Sequence, residues 1–312
     1  MINFATYATF EFADKVFLLF KSINKYKNSN LHLLCLDDTI FNYFKKYKLQ
    51  NLYIYNYKTL NIKLDNDFAK NLSIQRFYFV KYLFNLKKIK SIHLLDSDVY
   101  FFSNPIQLKK IFRDCDIGFC RHNYSKNRTE LNNKYGVYNA GYIYFRNCYN
   151  SIKFLEYYIS LCKKNVDYNY NDNVEKQNFA DQTYLEALVL RFQKIKLLDD
   201  PGVNTGPWNV SNYKINKKKN FIYLNDLKLI FYHFSGVKKI FNNFYSLGLR
   251  MFVDDKYDIK KDIYMKYIKK LISINKKINL NQSKKYLLHT KGSKIKALLS
   301  ILYNSDYLYL TS

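Results

Sequence analysis

Through the first half of the chain, compact apolar runs alternate with longer stretches whose apolar residues recur every three or four positions. Residues 2–8, 31–36, 52–55 and 92–95 are runs of strand length. Between them, 13–26, 37–47 and 72–86 carry helical spacing; in the last, Ile74, Phe77, Leu83 and Leu86 fall largely at three- and four-residue steps. Strands alternating with helices of this length predict an α/β fold with a mainly parallel sheet covered by helices on both faces.

Further on, Asn104-Pro105 caps a short helix over 106–112, with proline at the first helical position. Strands are expected at 117–120, 137–145 and 229–234, helices at 151–163 and 180–192. A polar, Asn-rich loop at 165–177 separates the two helices, and Asp199-Asp200-Pro201-Gly202 reads as a turn. Past residue 250 the composition shifts, with thirteen lysines against two aspartates between 256 and 296. The expected organisation is one catalytic domain over 1–250 and a basic helical extension over 251–312.

Composition narrows the classes. Among 312 residues, 48% are hydrophobic and 19% aromatic, enough for a sizeable core and too much for a largely disordered chain. A net charge of +26 raises nucleic acid or an anionic membrane as partner. Only seven of the cationic residues are arginine, the side chain that bidentate base contacts favour, so no nucleic-acid partner is expected. Five cysteines without a C-x-x-C pair fit reduced, buried thiols. No basic-then-apolar leader and no apolar run near the ~20 residues of a membrane span is visible. The expectation is a cytoplasmic protein, with the inner face of a membrane as a surface for its basic end.

The sharpest chemical signal is Asp96-Ser97-Asp98. The apolar strand 92–95 runs directly into it, and ligands of open α/β sheets bind where strands end. At i and i+2 on extended backbone both carboxylates point to one side. Two carboxylates held close repel one another, and a hard divalent cation resolves the conflict while leaving positions for phosphate oxygens. A surface turn with two acids is the alternative.

With these residues on the page, the sequence resembles the nucleotide-sugar glycosyltransferases of the GT-A fold, most closely family 8 and its relatives. The resemblance rests on five segments in order: Ser73-Ile74-Gln75-Arg76-Phe77, Leu94-Leu95-Asp96-Ser97-Asp98-Val99, Tyr138-Asn139-Ala140-Gly141-Tyr142, Ala180-Asp181-Gln182, and His233-Phe234-Ser235-Gly236-Val237-Lys238-Lys239. It spans about residues 1 to 240. The family's Pro-Trp after the last lysine is Ile240-Phe241 here, and the segment from Pro201 to Asn209 departs from the pattern.

The resemblance implies a mixed, Rossmann-like sheet and a metal site of Asp96, Asp98 and His233 that takes Mn²⁺ or Mg²⁺. It implies transfer of a hexose from a nucleoside-diphosphate sugar, most simply a UDP-sugar, to a saccharide, lipid-linked or protein acceptor, with retention of configuration. Thr6, Arg76, Ser97, Asn139, Ala140, Gly141, Gly236 and Lys239 are the implied donor-binding residues, and Asp181 and Gln182 the implied catalytic ones.

Each residue also has a plainer reading. His233 follows an apolar run, where a histidine can be merely structural; an imidazole beside two carboxylates would favour Mn²⁺. Asn139 and Gly141 either form a β-bulge or serve a sugar, Asn139 donating to its hydroxyls and Gly141 leaving room. Asp181 is either a good helix-start residue or a partner for a sugar or acceptor hydroxyl, with Gln182 under the anomeric carbon. Arg76 is a buried ion-pair member or a contact to donor phosphates, and Trp208 is core or an acceptor platform. His32, His93, His122 and His289 read as structural.

In the extension, Ile259, Ile263, Tyr267, Leu271, Ile274 and Ile278 share one helical face, with most lysines elsewhere. Such a helix lies on an anionic inner leaflet or packs on the domain. Rival functions are a basic nucleic-acid-binding protein and a nucleotide-sugar binder without turnover.

Overall fold

Apolar runs that can be covered from both sides become the strands of one central sheet. The structure, a computed structural model, describes residues 1–62, 68–87, 89–164, 181–241, 244–253, 258–277 and 306–309. The first elements are β1 (Ile2–Ala8), α1 (Ala13–Asn24), β2 (Ser29–Cys35), α2 (Asp38–Lys45), β3 (Leu52–Asn56), α3 (Phe68–Lys87) and β4 (Ser91–Leu95). Next come β5 (Val99–Phe101), α4 (Leu108–Ile111), β6 (Ile117–Arg121), α5 (Leu131–Tyr135), β7 (Tyr138–Arg146), α6 (Tyr149–Lys164), α7 (Tyr184–Arg191) and β8 (Ile195–Leu198). The expected loop at 165–177 lies outside the described residues.

The sheet runs β3-β2-β1-β4-β7-β6-β8. All neighbours are parallel except β7, which is antiparallel to β4 and β6. This is the mixed, mainly parallel α/β sheet expected, with helices on both faces. The strand alternation is visible in β2: Leu33 and Cys35 face α1 and α2, where Val16, Phe17, Ile40 and Phe44 pack. Leu34 faces the other way, toward Phe77, Val80 and Leu83 of α3 and Phe154 of α6. Asn104 caps the short helical segment as expected, its Oδ1 accepting from the Ile106 N–H at 3.0 Å.

The rest of the chain builds smaller sheets beside the central one. β9 (Ile215–Lys218), β10 (Phe221–Leu224) and β11 (Leu227–Lys228) form an antiparallel meander. β12 (Phe231–His233), expected as a further strand, pairs antiparallel with β5 outside the central sheet. β13 (Lys238–Phe241) and β14 (Phe244–Ser246) are joined by β15 (Tyr307–Tyr309). Between them in sequence, a six-residue π-helical turn at Ile259–Tyr264 leads into α8 (Met265–Lys277).

For the apolar face of that extension, packing on the domain is the reading the structure bears out. Ile259, Ile263, Tyr267, Leu271 and Ile274 are all at most 5% exposed and join the core that contains α1. Each contributes on the order of 1.5–3 kcal/mol by leaving water. Tyr267 stacks on Phe234 with centroids 3.7 Å apart, and Asn275 donates to Asp14 of α1 at 3.2 Å. Ile278 lies outside the described residues. Lys261, Lys269, Lys270 and Lys276 are exposed. Among the described residues, no helix is long and apolar enough to cross a membrane.

Candidate active site

The strand β4 stops at Leu95, and Asp96, Ser97 and Asp98 turn the chain into β5. The acids therefore sit on a turn, not on the extended backbone expected from their spacing. Two main-chain bonds fix this turn: the Asp96 N–H donates to Gly141 O at 2.9 Å, and Asp98 O accepts from the Phe234 N–H at 2.9 Å. The β5–β12 ladder pairs His233 with Val99 and so carries the imidazole to the acids. One ligand atom each from Asp96, Asp98 and His233 lies within 4.8 Å of the others. His233 Nε2 is 3.0 Å from Asp98 Oδ1 and 3.7 Å from Asp96 Oδ2.

Charge holds Asp98 and His233 in their ionised forms. Burial pushes the Asp98 carboxyl up, but His233 and Lys15 together bring it well below the usual carboxylate range. Burial likewise opposes a charged His233, and Asp98 and Asp96 outweigh it, so the imidazolium persists above its ordinary range. Once a cation displaces the His233 proton, two carboxylate oxygens and an imidazole nitrogen fit a divalent cation of the Mn²⁺ or Mg²⁺ type, the nitrogen favouring Mn²⁺.

Around the trio stand two residues that sequence reasoning missed. The Tyr7 hydroxyl donates to Asp96 Oδ1 at 2.6 Å, and the Lys15 ammonium lies 3.7 Å from Asp98 Oδ2. The acids open on a cavity of about 360 Å³ lined by Tyr7, Ala8, Thr9, Phe12, Leu36 and Leu72 besides Asp96, Ser97 and Asp98. Neither residue belongs to a motif; the available signal was position alone, since the carboxyl end of β1 adjoins that of β4 in a parallel pair.

Arg76, read either as a buried ion-pair member or as a contact to donor phosphates, is a buried ion-pair member in the structure. It pairs with Asp181, donates to Tyr7 Oη and to Ala140 O at 3.1 Å each, and lies 3.7 Å from Asp96 Oδ1. Burial opposes its charge, yet Asp181, Tyr7 and Asp96 keep the guanidinium firmly protonated. Asp181 sits in the turn before α7 as the counter-ion of Arg76. Gln182 turns its amide to the Tyr135 carbonyl at 2.7 Å.

Asn139 and Gly141 form the bulge that was one of their two readings: Phe119 pairs with Ile143, but the next residue, Cys120, pairs with Asn139. Asn139 Oδ1 accepts from the Gly141 N–H at 3.0 Å and from Asn204 at 2.9 Å, while its amide meets His122 Nε2 at 3.1 Å. His122 Nδ1 faces Gly136 O at 2.8 Å, which makes Nε2 the acceptor. Burial pushes His122 down to about 3, and His93 likewise to about 3. Both are structural, as expected.

The space that Gly141 leaves is taken by His233: a Cβ there would lie 2.3 Å from the ring Cε1. Trp208 packs edge-on to His233 with centroids 5.2 Å apart and is 5% exposed, so it is core. Ser97 lines the cavity, whereas Thr6 is fully buried on β1, one residue away from the Tyr7 that faces Asp96. Gly236 has φ +83° and packs against the Gly248 backbone, which explains the glycine without a ligand. Lys239 lies on β13, close enough for its charge to act on Asp14. All five cysteines are free, and Cys35, Cys115, Cys120 and Cys162 are buried.

A sequence model of nucleotide-diphospho-sugar transferases matches residues 26–189. The chain is 24% identical over 255 residues to the uncharacterized protein YfnD of Bacillus subtilis (strain 168), covering 77% of this chain and 78% of that one. Among solved structures, it is similar to the galactosyltransferase LgtC in complex with donor and acceptor sugar analogs, at 14% identity and a TM-score of 0.49, covering 75% of this chain and 87% of that one. It is also similar to mouse xyloside xylosyltransferase 1, at 13% identity and a TM-score of 0.48, covering 75% and 98%.

Proposed function

The chain belongs to the nucleotide-diphospho-sugar transferase family and is a glycosyltransferase; from that premise we propose that it moves a hexose from a nucleoside-diphosphate sugar to an acceptor hydroxyl, with a divalent cation on Asp96, Asp98 and His233. The observation that carries this reading is the convergence of those three side chains within 4.8 Å beside a cavity on the β1 and β4 ends. A cation there would act as a Lewis acid on the diphosphate leaving group.

The chain's own residues divide the remaining work. Tyr7 and Arg76 orient Asp96, Lys15 and His233 orient Asp98, and Asp181 keeps Arg76 in place. The cavity is large enough to exclude water from a nucleoside, with Phe12, Leu36 and Leu72 as apolar walls. A UDP-sugar donor, retention and a saccharide, lipid-linked or protein acceptor follow from the family resemblance. The exposed lysines of α8 support work at the anionic inner face of a membrane, in the cytoplasm.

The test is hydrolysis of UDP-glucose, UDP-galactose and other nucleotide sugars by purified protein with Mn²⁺. Turnover should vanish on chelation and in Asp98→Asn and His233→Ala. Undiminished turnover in either variant sinks the metal assignment.

A further inference from the structure

Lys15 is placed where the family motifs put nothing. It lies in the first turn of α1, its ammonium 3.7 Å from Asp98 Oδ2, on the carboxylate oxygen opposite the one that His233 approaches. Both side chains are 14% exposed, so this pair is largely withdrawn from bulk water. The same ammonium stands 4.9 Å above the Phe12 ring, and Phe12 is a wall of the cavity that Asp96 and Asp98 open on. The backbone at its base is held: the Lys15 main-chain N–H donates to Asp14 Oδ1 at 2.8 Å, and Asp14 Oδ2 accepts from Asn275 of α8 at 3.2 Å.

We propose that Lys15 is a diphosphate-binding residue, a fixed protein cation that pairs with Asp98 in the empty site and with the leaving diphosphate in the loaded one. The inference rests on the donor reading above. Its physical basis is charge balance. A divalent cation on Asp96 and Asp98 cancels both carboxylates, which frees the Lys15 charge from its partner while leaving the ammonium next to Phe12 and Asp98, two residues that line the cavity.

In the transfer, the bond from the anomeric carbon to the β-phosphate oxygen breaks and leaves its electron pair on that oxygen. The acceptor oxygen forms the new bond to carbon and its proton passes to water. The diphosphate thus gains one negative charge, and a fixed cation beside it is worth more after cleavage than before. Lys15 therefore binds the product diphosphate more strongly than the intact donor.

The experiment is calorimetric titration of the full chain, with Mn²⁺ present, against UDP, GDP, ADP and TDP, followed by the matching nucleoside. For the nucleotide that wild type binds, Lys15→Met is expected to weaken diphosphate binding about ten-fold or more, as loss of a charged hydrogen bond does. Nucleoside binding should be unchanged, and Lys15→Arg should recover most of the loss. Mn²⁺ affinity, read by electron paramagnetic resonance, should be equal or tighter in Lys15→Met, because a rival for Asp98 has gone.

Undiminished diphosphate binding in Lys15→Met overturns the inference while the donor reading stands. Parallel loss of nucleoside and diphosphate also overturns it, since that marks a collapsed pocket. If wild type binds none of the four diphosphates, the donor reading fails and the inference falls with it.

Discussion

Gly141→Ala separates two explanations of one glycine. A Cβ at this position would lie 2.3 Å from His233 Cε1 and 2.8 Å from Nδ1, against an ordinary contact of about 3.5 Å. Relief requires a displacement of about 1 Å. The bulge cannot supply it without loss, because Gly141 O accepts from the Asp96 N–H at 2.9 Å and the Gly141 N–H donates to Asn139 at 3.0 Å. His233 is held as well: its main-chain N–H donates to Thr205 O at 2.8 Å, and Trp208 packs edge-on to its ring at 5.2 Å. The expected cost in stability is about 1–3 kcal/mol, the range for overpacked cores, which leaves a folded protein at 25 °C. The sharper effect falls on the cation. A shift that moves His233 off Asp98 should lower Mn²⁺ affinity about 10–100-fold, as loss of a ligand-orienting contact does. Electron paramagnetic resonance of free Mn²⁺, with a thermal melt as the folding control, reads both quantities. If Gly141 instead leaves room for a sugar, Gly141→Ala binds Mn²⁺ as wild type does and loses only donor turnover. That result refutes the reasoning.

Three further changes test the scaffold. Asp181→Asn strands the buried Arg76 guanidinium and should cost about 3–5 kcal/mol in chemical denaturation, whereas the pair Arg76→Met with Asp181→Leu should cost less; an unaltered midpoint for Asp181→Asn contradicts the ion pair. His93 stays neutral in the fold to about pH 3 but takes up a proton near 6.5 when unfolded, so its contribution is complete above 6.5 and is lost as pH falls toward 3. Denaturation between pH 6.5 and 4 should have a slope smaller by about 1.4 kcal/mol per pH unit in His93→Phe, and equal slopes would show that the buried imidazole does not resist protonation. Leu271→Ala should destabilise the whole chain by about 2–5 kcal/mol, since that side chain is 3% exposed against α1; a wild-type melting profile would mean that α8 does not belong to the core.

The inner strands of the central sheet are legible in the sequence because they are buried on both sides and so cannot hide, whereas the part-buried edge strand β8 is not among those expected. Residues 31–36 and 92–95 are nearly continuous apolar runs, and the helices between them have a repeating face to cover them. β12 aside, the strands of the small sheets are not legible, for the converse reason. β9 reads Ile-Asn-Lys-Lys with its lysines in solvent, and β14 is completed by β15, whose Tyr307 pairs with Ser246 from far along the chain. Neither has a local pattern that separates it from a loop. The extension shows an intermediate case: its helical face is plain in the sequence, but a stripe of isoleucine and tyrosine looks the same whether it meets a bilayer or α1.

The candidate site divides along the same line, between what a residue type implies and what its neighbours decide. Two acids after an apolar strand imply a concentration of negative charge wherever the strand ends, so Asp96 and Asp98 mark the site even though their backbone is a turn and not extended. What answers that charge is set by topology. Parallel pairing brings the end of β1 beside that of β4, which gives Asp96 the Tyr7 hydroxyl, and the α1 start that follows gives Asp98 the Lys15 ammonium. Neither residue is marked by its own surroundings in a chain rich in tyrosine and lysine. Arg76 and Gly141 carry the complementary lesson. A cation on an apolar helix and a glycine in a strand both signal close approach, but only the fold says to what: Arg76 approaches Asp181, and Gly141 approaches His233. Both contacts converge on the same two acids, Arg76 beside Asp96 and His233 beside Asp98, so these motif residues form one mutually held electrostatic unit.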